Sequence, residues 1–304
     1  MKSGLLLVDK PSGMTSHDVV QRVRAALGQK KVGHCGTLDP AATGLLVLTV
    51  GKATRLTRFL IRAPKVYEGT IRFGRETDTY DADGEIVAER PIDGLGTESV
   101  HQAMTRFVGE YEHLTPPYSA RKVQGVKSYE LARRGEEVPV ERKQVRIFAY
   151  EPLGELDEDG RIAFRLSCAS GTYARSLAHE LGQIVGTGAH LHSLRRLTVG
   201  GFRLEDAATL DELETAADAS ADTDELPGWI PFDRIPLPFE SVEVDSQQER
   251  RLSHGQTALV RGLESGEGDW IRIETRRGAF LAVASVVEQI GADVGVLQPR
   301  IVFK

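Results

Sequence analysis

The sequence predicts a protein of the α+β class that ends in a small β-rich module. Apolar residues alternate with period two over residues 67–73 and 162–168, which is the pattern of half-buried strands. Apolar residues recur with helical spacing over residues 16–27 and again after Thr172, which predicts helices packed on the strands. The chain ends in IRIETRRGAFLAVASVV and VLQPRIVF, two stretches rich in β-branched residues.

The N-terminal region contains two predicted strands and one helix. Gly4 to Val8 is an apolar run that ends in a Lys-Pro-Ser-Gly turn, which indicates a short buried strand. Ser16 is predicted to cap a helix that runs to about Leu27, with Gly28 as its stop. The continuous apolar run from residue 45 to 50 predicts a second buried strand.

The helix after Thr172 follows directly on the strand at 162–168. Its predicted core side carries Leu177, Leu181, Ile184 and Val185. Arg175 falls in the first turn, just past the end of the strand. From there its side chain can project over the edge of a sheet.

Two segments interrupt this pattern. Residues 115–146 contain TPPYSARKVQGVKSYELARRGEEVP, a basic stretch that starts with a Pro-Pro break and indicates an inserted arm. Residues 205–228 are acidic and are followed by the proline-rich PFDRIPLPF. We therefore predict a boundary near residue 240, between a main domain of residues 1–239 and a small β-rich domain of residues 240–304.

Charge is distributed unevenly along the chain. Residues 1–65 contain eleven Lys and Arg against three Asp and no Glu, which is typical of a surface that faces polyanions. Nine acids and no base lie between Glu205 and Glu225. The formal net charge of −6 is therefore a poor guide to the partners of this protein.

Composition also bears on the location of the protein. Two cysteines, Cys35 and Cys168, are too few for a disulfide framework. The N-terminal apolar run of five residues is too short for a signal peptide, and no stretch approaches the length of a membrane span. We expect a cytoplasmic protein that does not associate with membranes.

GHCGTLDPAATGLL, from Gly33 to Leu46, places the lone carboxylate of Asp39 in a basic region. The following proline biases Asp39 toward an extended or turning backbone, and Gly33, Gly36 and Gly44 add backbone freedom. A short acid on such a loop can be a nucleophile, a general base, a metal ligand or only a turn residue. The local sequence leaves these alternatives open.

Several sharper motifs do not fit. The stretch from Gly44 to Lys52 has the wrong spacing for a phosphate-binding P-loop, and Ala53 stands where that motif needs Ser or Thr. DTYDADGEIVAER lacks the first and last ligands of a calcium loop and predicts an Asp-Gly turn between strands. Without a CxxC pair we predict no zinc site, and Cys168 is interpreted as a small core residue. Cys35 is a possible nucleophile for a pyrimidine ring, but no methyl-donor motif accompanies it.

Longer stretches resemble a known family. HCGTLDPAATGLL, preceded by GLLLVDKPSGMTSHDVV and followed by GKATR, resembles the signature of the TruB family of bacterial tRNA pseudouridine synthases. KVYEGTIRFGRETDTYDADG, PPYSARKVQG, SCASGTYARSLAHELG and GAHLHSLRRLTVG resemble the later blocks of that family, in order. The resemblance spans about residues 4–200.

The resemblance implies a fold and an activity. The family isomerises the T-loop uridine at tRNA position 55 without a cofactor or metal. Its fold has a mixed, mainly antiparallel sheet with flanking helices, an inserted arm that grips RNA and often a C-terminal RNA-binding module of the PUA type. We accordingly expect residues 1–239 to be a catalytic pseudouridine synthase domain and residues 240–304 to be a PUA-like RNA-binding domain.

The resemblance also implies roles for site residues. Asp39 matches the nucleophile, Arg175 the arginine that pairs with it and Tyr67 the tyrosine that stacks on the base. His34 matches the histidine that enters the T-loop beside the flipped base. Tyr173 and Leu194 match positions that line the uracil pocket. In the arm, the basic residues expected to contact phosphates are Arg121, Lys122, Lys127, Arg133 and Arg134.

Two further functions remain to be distinguished from catalysis. A tRNA-binding or tRNA-folding chaperone has no need for Asp39, Tyr67 and Arg175 together, so their joint presence favours an enzyme. A synthase that acts with guide RNA in a larger complex is disfavoured because no charged assembly tail is evident. We therefore expect tRNA, through its T-arm and T-loop, to be the partner of a monomer that needs no other protein.

Overall fold

The computed structural model describes residues 2–116, 122–123, 126–127, 141–219 and 224–303. Within them, ten strands form a larger sheet and five form a smaller one, and two short hairpins lie outside both. In chain order the strands are β1 (Gly4–Lys10), β2 (Val32–His34), β3 (Thr43–Val50), β4 (Lys65–Phe73), β5 (Arg75–Thr77), β6 (Ile86–Glu89), β7 (Gly109–Leu114), β8 (Lys122–Val123), β9 (Val126–Lys127), β10 (Arg142–Pro152), β11 (Arg161–Cys168), β12 (Ala189–Val199), β13 (Phe202–Arg203), β14 (Trp229–Pro231), β15 (Ser241–Val244), β16 (Ala258–Arg261), β17 (Trp270–Thr275), β18 (Phe280–Gln289) and β19 (Val294–Val302).

The larger sheet is mixed and mainly antiparallel. Its strand order is β14-β1-β3-β12-β4-β11-β10-β7, with β2 paired to β3 and β13 paired to β12. Strand β12 runs parallel to β3 through Arg195 and Arg196, whereas the other neighbours run antiparallel. The α+β class and the sheet type expected from the sequence are therefore confirmed.

Helices cover this sheet and complete its core. They are α1 (Ser16–Ala26), α2 (Thr57–Leu60), α3 (Thr97–Thr105), α4 (Ala174–Val185), α5 (Leu210–Ala219) and α6 (Ser246–Ser253). Apolar residues of α3 and α4 pack with β4, β10 and β11 in one cluster, and those of α1 and α5 pack with β1 and β3 in another. None of these helices is long and apolar enough to span a membrane.

The start of α1 differs from its prediction. Thr15 is the N-cap, because its side chain accepts from the Asp18 N–H while the Asp18 carboxylate accepts from the Thr15 N–H. This reciprocal pair leaves no capping role for Ser16. The predicted cap was wrong, and the Ser16 hydroxyl is buried and used elsewhere.

The ends of α4 also differ in detail. The helix begins at Ala174 with Tyr173 as its N-cap, rather than at Thr172. Leu177 and Leu181 are fully buried, but Ile184 is 39% exposed while Val185 packs against the core. Successive side chains on a helix point about 100° apart. A narrow apolar stripe therefore cannot bury both Ile184 and Val185, which are adjacent in the sequence.

The acidic segment contains α5, which packs against α1. Arg22 of α1 binds Glu214 through Nε at 2.7 Å, and its Nη2 lies 3.2 Å from Asp211. Leu210 and Leu213 bury the apolar side of the helix. After this segment, β14 returns to the edge of the larger sheet beside β1.

The smaller sheet begins at Ser241 and has the order β15-β17-β18-β19-β16. Phe280 of this sheet and Phe303, which directly follows its last strand, share an apolar cluster with Leu5 and Leu45 of the larger one. Side chains from the two sheets therefore contribute to one apolar cluster. The division of the chain into catalytic and RNA-binding domains at residue 240 stays a prediction.

Only part of the predicted arm is described. Strands β8 and β9 pair as a short hairpin through Lys122 and Lys127. The predicted phosphate contacts Arg121, Arg133 and Arg134, and the side chains of Lys122 and Lys127, lie outside the described residues.

Candidate active site

Asp39 lies on the loop that joins β2 to β3. Gly36 has a φ of 129° and Gly44 a φ of 98°, both in the region that favours glycine. A Cβ on Gly44 would also lie 2.3 Å from the carbonyl oxygen of Arg196 on the adjacent strand. Gly33, by contrast, lies within β2 and is not among the positive-φ residues. The two glycines therefore allow the tight turns that place Asp39.

Three buried side chains hold the backbone of this loop on both sides of Asp39. The Ser16 hydroxyl accepts from the Leu38 N–H at 2.8 Å and donates to the Leu38 carbonyl. Lys10 Nζ donates to the carbonyl of Pro40 at 3.1 Å. Arg196 donates to the carbonyls of residues 36 and 37. Because these contacts come from α1, β1 and β12, the position of Asp39 is fixed by the fold.

Arg175 binds Asp39 in a bidentate ion pair. Its Nε lies 3.0 Å from Asp39 Oδ2, and its Nη2 donates to Oδ1 at 3.3 Å. Nη1 of the same guanidinium donates to Asp81 Oδ2 at 3.1 Å and to the Thr79 carbonyl at 3.2 Å. The side chain of Arg175 is only 7% exposed, whereas that of Asp39 is 41% exposed. One buried guanidinium thus orients a carboxylate that remains open to a ligand.

The surroundings of Asp39 have opposing effects on its protonation. Burial raises the pKa of the Asp39 carboxyl above its ordinary value, and the adjacent Arg175 charge opposes this rise. Asp81 raises the pKa further, and Lys10 opposes it. The net effect is a raised pKa, as expected for a carboxylate that reacts in a partly desolvated site.

Asp39 faces a cavity of about 310 Å³. Tyr67, Tyr173 and Leu194, three of the predicted site residues, line it together with Asp39 and Arg175. The other lining residues are Gly36, Thr37, Leu38, Ile61, Lys65, Ala169, Ser170, Gly171, Thr172, Ala174 and Arg196. The cavity combines one carboxylate, aromatic and aliphatic walls, and cations, which suits a small planar polar ligand.

Tyr67 projects into this cavity from β4. Burial raises the pKa of its hydroxyl, while the charge of Arg196 opposes this rise. The phenol is therefore neutral at physiological pH and acts as an aromatic surface with a hydrogen-bond donor. Leu194 of the neighbouring strand β12 pairs with Gly69 of β4. The Tyr67 and Leu194 sides of the cavity therefore come from one pair of adjacent strands.

Among the predicted site residues whose side chains the structure describes, His34 alone does not line the cavity. It ends β2, five residues before Asp39, and pairs with Leu48 of β3. Burial lowers the pKa of its imidazole, and its buried Nδ1 has no hydrogen-bond partner among the described residues. A neutral imidazole with an unsatisfied nitrogen thus lies on the strand that leads into the Asp39 loop.

The cysteines do not resemble reactive groups. Burial raises the pKa of Cys35 to about 12 and that of Cys168 to about 11, so both remain thiols at neutral pH. A nucleophilic Cys35 is not supported. Among the described residues, no group of three or more His, Cys, Asp or Glu side chains could hold a metal ion.

Three side chains of the site had no assigned role in the sequence analysis. Asp81 was placed in an Asp-Gly turn, and the turn is present, but its carboxylate binds Arg175. Lys65 and Arg196 line the cavity from β4 and β12. The sequence carries no clear signal for either residue: Lys65 is the first residue of β4, and Arg196 directly follows Arg195 in a strand that also contains two histidines.

Family models match most of the chain. Residues 24–174 match the model of the TruB family pseudouridylate synthase N-terminal domain, and residues 175–242 match that of the tRNA pseudouridylate synthase B C-terminal domain. The first match ends and the second begins between Ala174 and Arg175.

Individual proteins extend the similarity to nearly the whole chain. The tRNA pseudouridine synthase B of Solibacter usitatus (strain Ellin6076) is 42% identical over 93% of this chain and 96% of its own. That of Thermobifida fusca (strain YX) is 40% identical over 100% of this chain and 99% of its own. Among solved structures, the crystal structure of a Cbf5-Nop10-Gar1 complex contains a chain that is 25% identical, with a TM-score of 0.72 over 99% of this chain and 85% of that one.

Proposed function

The chain belongs to the TruB family and is an RNA pseudouridine synthase, and we propose that it isomerises the uridine at position 55 of the tRNA T-loop with Asp39 as nucleophile. The reaction breaks the bond between ribose C1′ and uracil N1, rotates the base and joins C1′ to C5. The proton on C5 is lost and N1 gains one, so the product is an isomer. No net oxidation occurs, and the chemistry needs no redox cofactor.

The ion pair between Asp39 and Arg175 is the observation that carries this proposal. A carboxylate can attack C1′ to form a covalent adduct or accept the C2′ proton to give a glycal. Either role requires an ionised carboxylate that is aimed at the sugar. Arg175 favours the ionised form and holds both oxygens, while the 41% exposure of Asp39 leaves it open to the ligand.

The walls of the cavity suit a single flipped base. Tyr67 supplies a ring on which uracil stacks, and Tyr173 and Leu194 add aromatic and aliphatic lining to the same cavity. A neutral Tyr67 hydroxyl cannot accept the C5 proton, so Tyr67 acts as this base only after it has passed its own proton to solvent or to another base. A pocket of this size admits one base only after it has left its stack.

His34 fits a role in base flipping better than one in chemistry. It lies outside the cavity lining but on the strand that enters the Asp39 loop. Its neutral, half-buried ring presents an apolar face that can fill the gap left by the extruded uridine. We propose that the His34 side chain enters the T-loop of the tRNA and does not contact the reacting atoms.

RNA contacts outside the cavity complete the proposal. We assign phosphate contacts in the arm to Arg121, Lys122, Lys127, Arg133 and Arg134, and further RNA contacts to the PUA-like domain of residues 240–304. Folded-back single strands are read by shape and stacking, which suits an arm above a deep pocket. We propose that the protein acts as a cytoplasmic monomer.

Tritium release tests the proposal. Unmodified tRNA that carries tritium at uracil C5 is incubated with the wild-type protein, with Asp39→Asn and with Asp93→Asn, an exposed aspartate that does not line the cavity. We expect wild type and Asp93→Asn to release tritium at the same rate. Asp39→Asn should bind the tRNA and release none, because the amide cannot act as the nucleophile.

Two results would contradict the proposal. If the wild-type protein binds tRNA and releases no tritium, the protein is a binding or folding factor rather than an isomerase. If Asp39→Asn releases tritium at the wild-type rate, the carboxylate is not the reacting group.

A further inference from the structure

Two cations form the floor of the cavity. Lys65 on β4 is 5% exposed and Arg196 on β12 is 1% exposed, and both line the cavity beside Tyr67. They lie close to one another below Gly36. A Cβ built on Gly36 would be 3.5 Å from Arg196 Nη1 and 3.7 Å from Lys65 Cε.

Neither cation has a carboxylate partner among the described residues. Lys65 Nζ donates to the carbonyls of Ile61 at 2.6 Å and Ala63 at 2.7 Å. These two bonds leave the third ammonium hydrogen for a ligand. Arg196 donates to the carbonyl of Leu45 at 2.7 Å and to the carbonyls of residues 36 and 37. Neutral carbonyls satisfy the hydrogen bonds but do not cancel the two positive charges.

The cavity is therefore electrically polarised. At one wall, the charge of Arg175 is balanced by the carboxylates of Asp39 and Asp81. At the floor, the buried positive charges of Lys65 and Arg196 have no carboxylate partner among the described residues. Buried charge without a partner is costly, so this floor favours a ligand that brings or develops negative charge. Burial and the nearby Arg196 lower the pKa of Lys65 to about 8, which reflects that cost.

We propose that Lys65, assisted by Arg196, stabilises the negative charge that uracil acquires when its bond to C1′ breaks. This inference rests on the proposed function. When the C1′–N1 bond breaks, its electron pair stays with N1 and the base leaves as an anion. C1′ is meanwhile captured by Asp39 or becomes part of a glycal. The polarity of the cavity matches this separation, with the carboxylate toward the sugar and the cations toward the base.

The anion needs to persist only until the base has turned. C5 then bonds to C1′, the C5 proton is lost and N1 is protonated, which restores a neutral base. Fixed cations that face charge developing in the transition state need no reorganisation during the reaction. A positively charged floor also holds the detached base in the cavity, where diffusion would otherwise compete with rebonding.

A purely structural role is the alternative. Lys65 also ties down residues 61–63, so its loss could misplace the cavity wall without any direct effect on the base. The two roles differ in what they predict for a base that carries negative charge more easily. A misplaced wall slows the reaction of any base, whereas a missing cation matters less when the base stabilises its own charge.

The test uses Lys65→Met and Lys65→Gln with T-arm RNA under single-turnover conditions. The Gln side chain can still donate to one of the carbonyls that Lys65 holds, and thermal melting checks that each variant is folded. We expect the rate constant of the bound complex to fall by about 100-fold or more in both, as for the loss of one oxyanion donor. RNA affinity should stay unchanged, because Lys65 is too deeply buried to reach phosphates. Lys30→Met, at an exposed lysine that does not line the cavity, is the matched control and should leave the rate constant of the bound complex unchanged.

A second substrate separates the two roles. RNA with 5-fluorouridine at the target position carries an electron-withdrawing fluorine that stabilises the uracil anion. The loss of rate in the Lys65 variants, measured as consumption of the parent nucleoside, should be smaller for this RNA than for uridine. An equal loss on both substrates, or wild-type rates in both variants, would overturn the inference. If wild type itself converts no uridine, it is the proposed function that fails.

Discussion

At the scale of single residues, one guanidinium serves two carboxylates. Arg175 holds Asp39 through two nitrogens, and the third binds Asp81. The second oxygen of Asp81 accepts from the Thr79 hydroxyl at 2.6 Å, so Asp81 is fixed before it contacts Arg175. The orientation of Asp39 therefore depends on a residue that does not line the cavity.

Asp81→Asn should slow turnover without weakening RNA binding. The amide keeps the shape of the side chain but removes a charge-assisted bond to Arg175, which is worth about 1.5–3 kcal/mol. We expect the single-turnover rate to fall roughly 10-fold to 100-fold, in line with that energy. Asp83→Asn, an exposed residue on the same turn, is the matched control and should keep the wild-type rate. Equal rates for the two variants would show that Asp81 does not position Arg175.

The acid side of the pH–rate profile should report Asp39. The proposed reaction needs the ionised carboxylate, and burial raises the pKa of Asp39 above its ordinary value of 3.8. As the pH falls, the rate should therefore drop with a midpoint above 3.8. In Asp81→Asn the midpoint should move to lower pH, because the negative charge of Asp81 contributes to the rise. An unchanged midpoint in that variant would contradict this coupling.

Sequence patterns find some of these residues and miss others for a physical reason. Asp39 is conspicuous as a lone acid beside a proline in a basic, glycine-rich region. Arg175 is placed over a sheet edge by the strand-to-helix junction. Asp81 belongs to a turn motif that explains it fully in local terms, so only the fold reveals its ion pair 94 residues away along the chain. Lys65 and Arg196 likewise acquire their meaning from strands that become neighbours only in three dimensions.

At the scale of secondary structure, helix α1 fixes the Asp39 loop. Its first residue, Ser16, makes two hydrogen bonds to the backbone of Leu38. Its N-cap, Thr15, makes none to the loop and closes the capping box with Asp18 instead. Thr15 thus stabilises the end of the helix, whereas the adjacent Ser16 holds the loop that carries Asp39.

Substitution of these neighbours should separate stability from activity. Ser16→Ala leaves the Leu38 N–H and carbonyl buried without a partner and should lower the free energy of unfolding by about 1–3 kcal/mol. Thr15→Ala loses the N-cap and should lower it by about 1 kcal/mol. Measured well below the unfolding temperature, turnover should fall in Ser16→Ala but not in Thr15→Ala. If both variants turn over at the wild-type rate, the clamp on Leu38 does not contribute to catalysis.

Most elements were predictable because their apolar patterns are strong. The strands at 45–50, 67–73 and 162–168 and the helix beginning at residue 16 are all present. The exact ends of these elements could not be predicted from the sequence. Whether Thr15 or Ser16 caps α1 depends on which hydroxyl meets Leu38 across the fold, and this contact joins residues 22 positions apart.

At the scale of the whole molecule, an acidic segment and a basic segment that are far apart in the sequence contact each other. The basic N-terminal region supplies β1, α1 and the Asp39 loop, while the acids of α5 lie beside Arg22 on the outer side of α1. This pairing neutralises part of the basic region away from the cavity. The overall charge of −6 averages this acidic segment with the basic N-terminal region and therefore does not describe the charge of the basic region itself.

The sequence alone left this arrangement open. It located the acidic segment but not its partner, because a helical face and an ion pair with Arg22 follow from packing between distant parts of the chain. It indicated the C-terminal β-rich module but not that Phe280 and Phe303 share an apolar cluster with residues of the larger sheet. Long-range packing of this kind leaves no periodic signal in either segment.

Mapping of pseudouridine in an unmodified tRNA tests the central claim most directly. The tRNA is incubated with the wild-type protein or with Asp39→Asn, and every uridine position is then scored for conversion. The account predicts conversion at position 55 of the T-loop alone with wild type, and at no position with Asp39→Asn. Conversion at other positions, conversion by the Asp39→Asn variant or no conversion by wild type would contradict it.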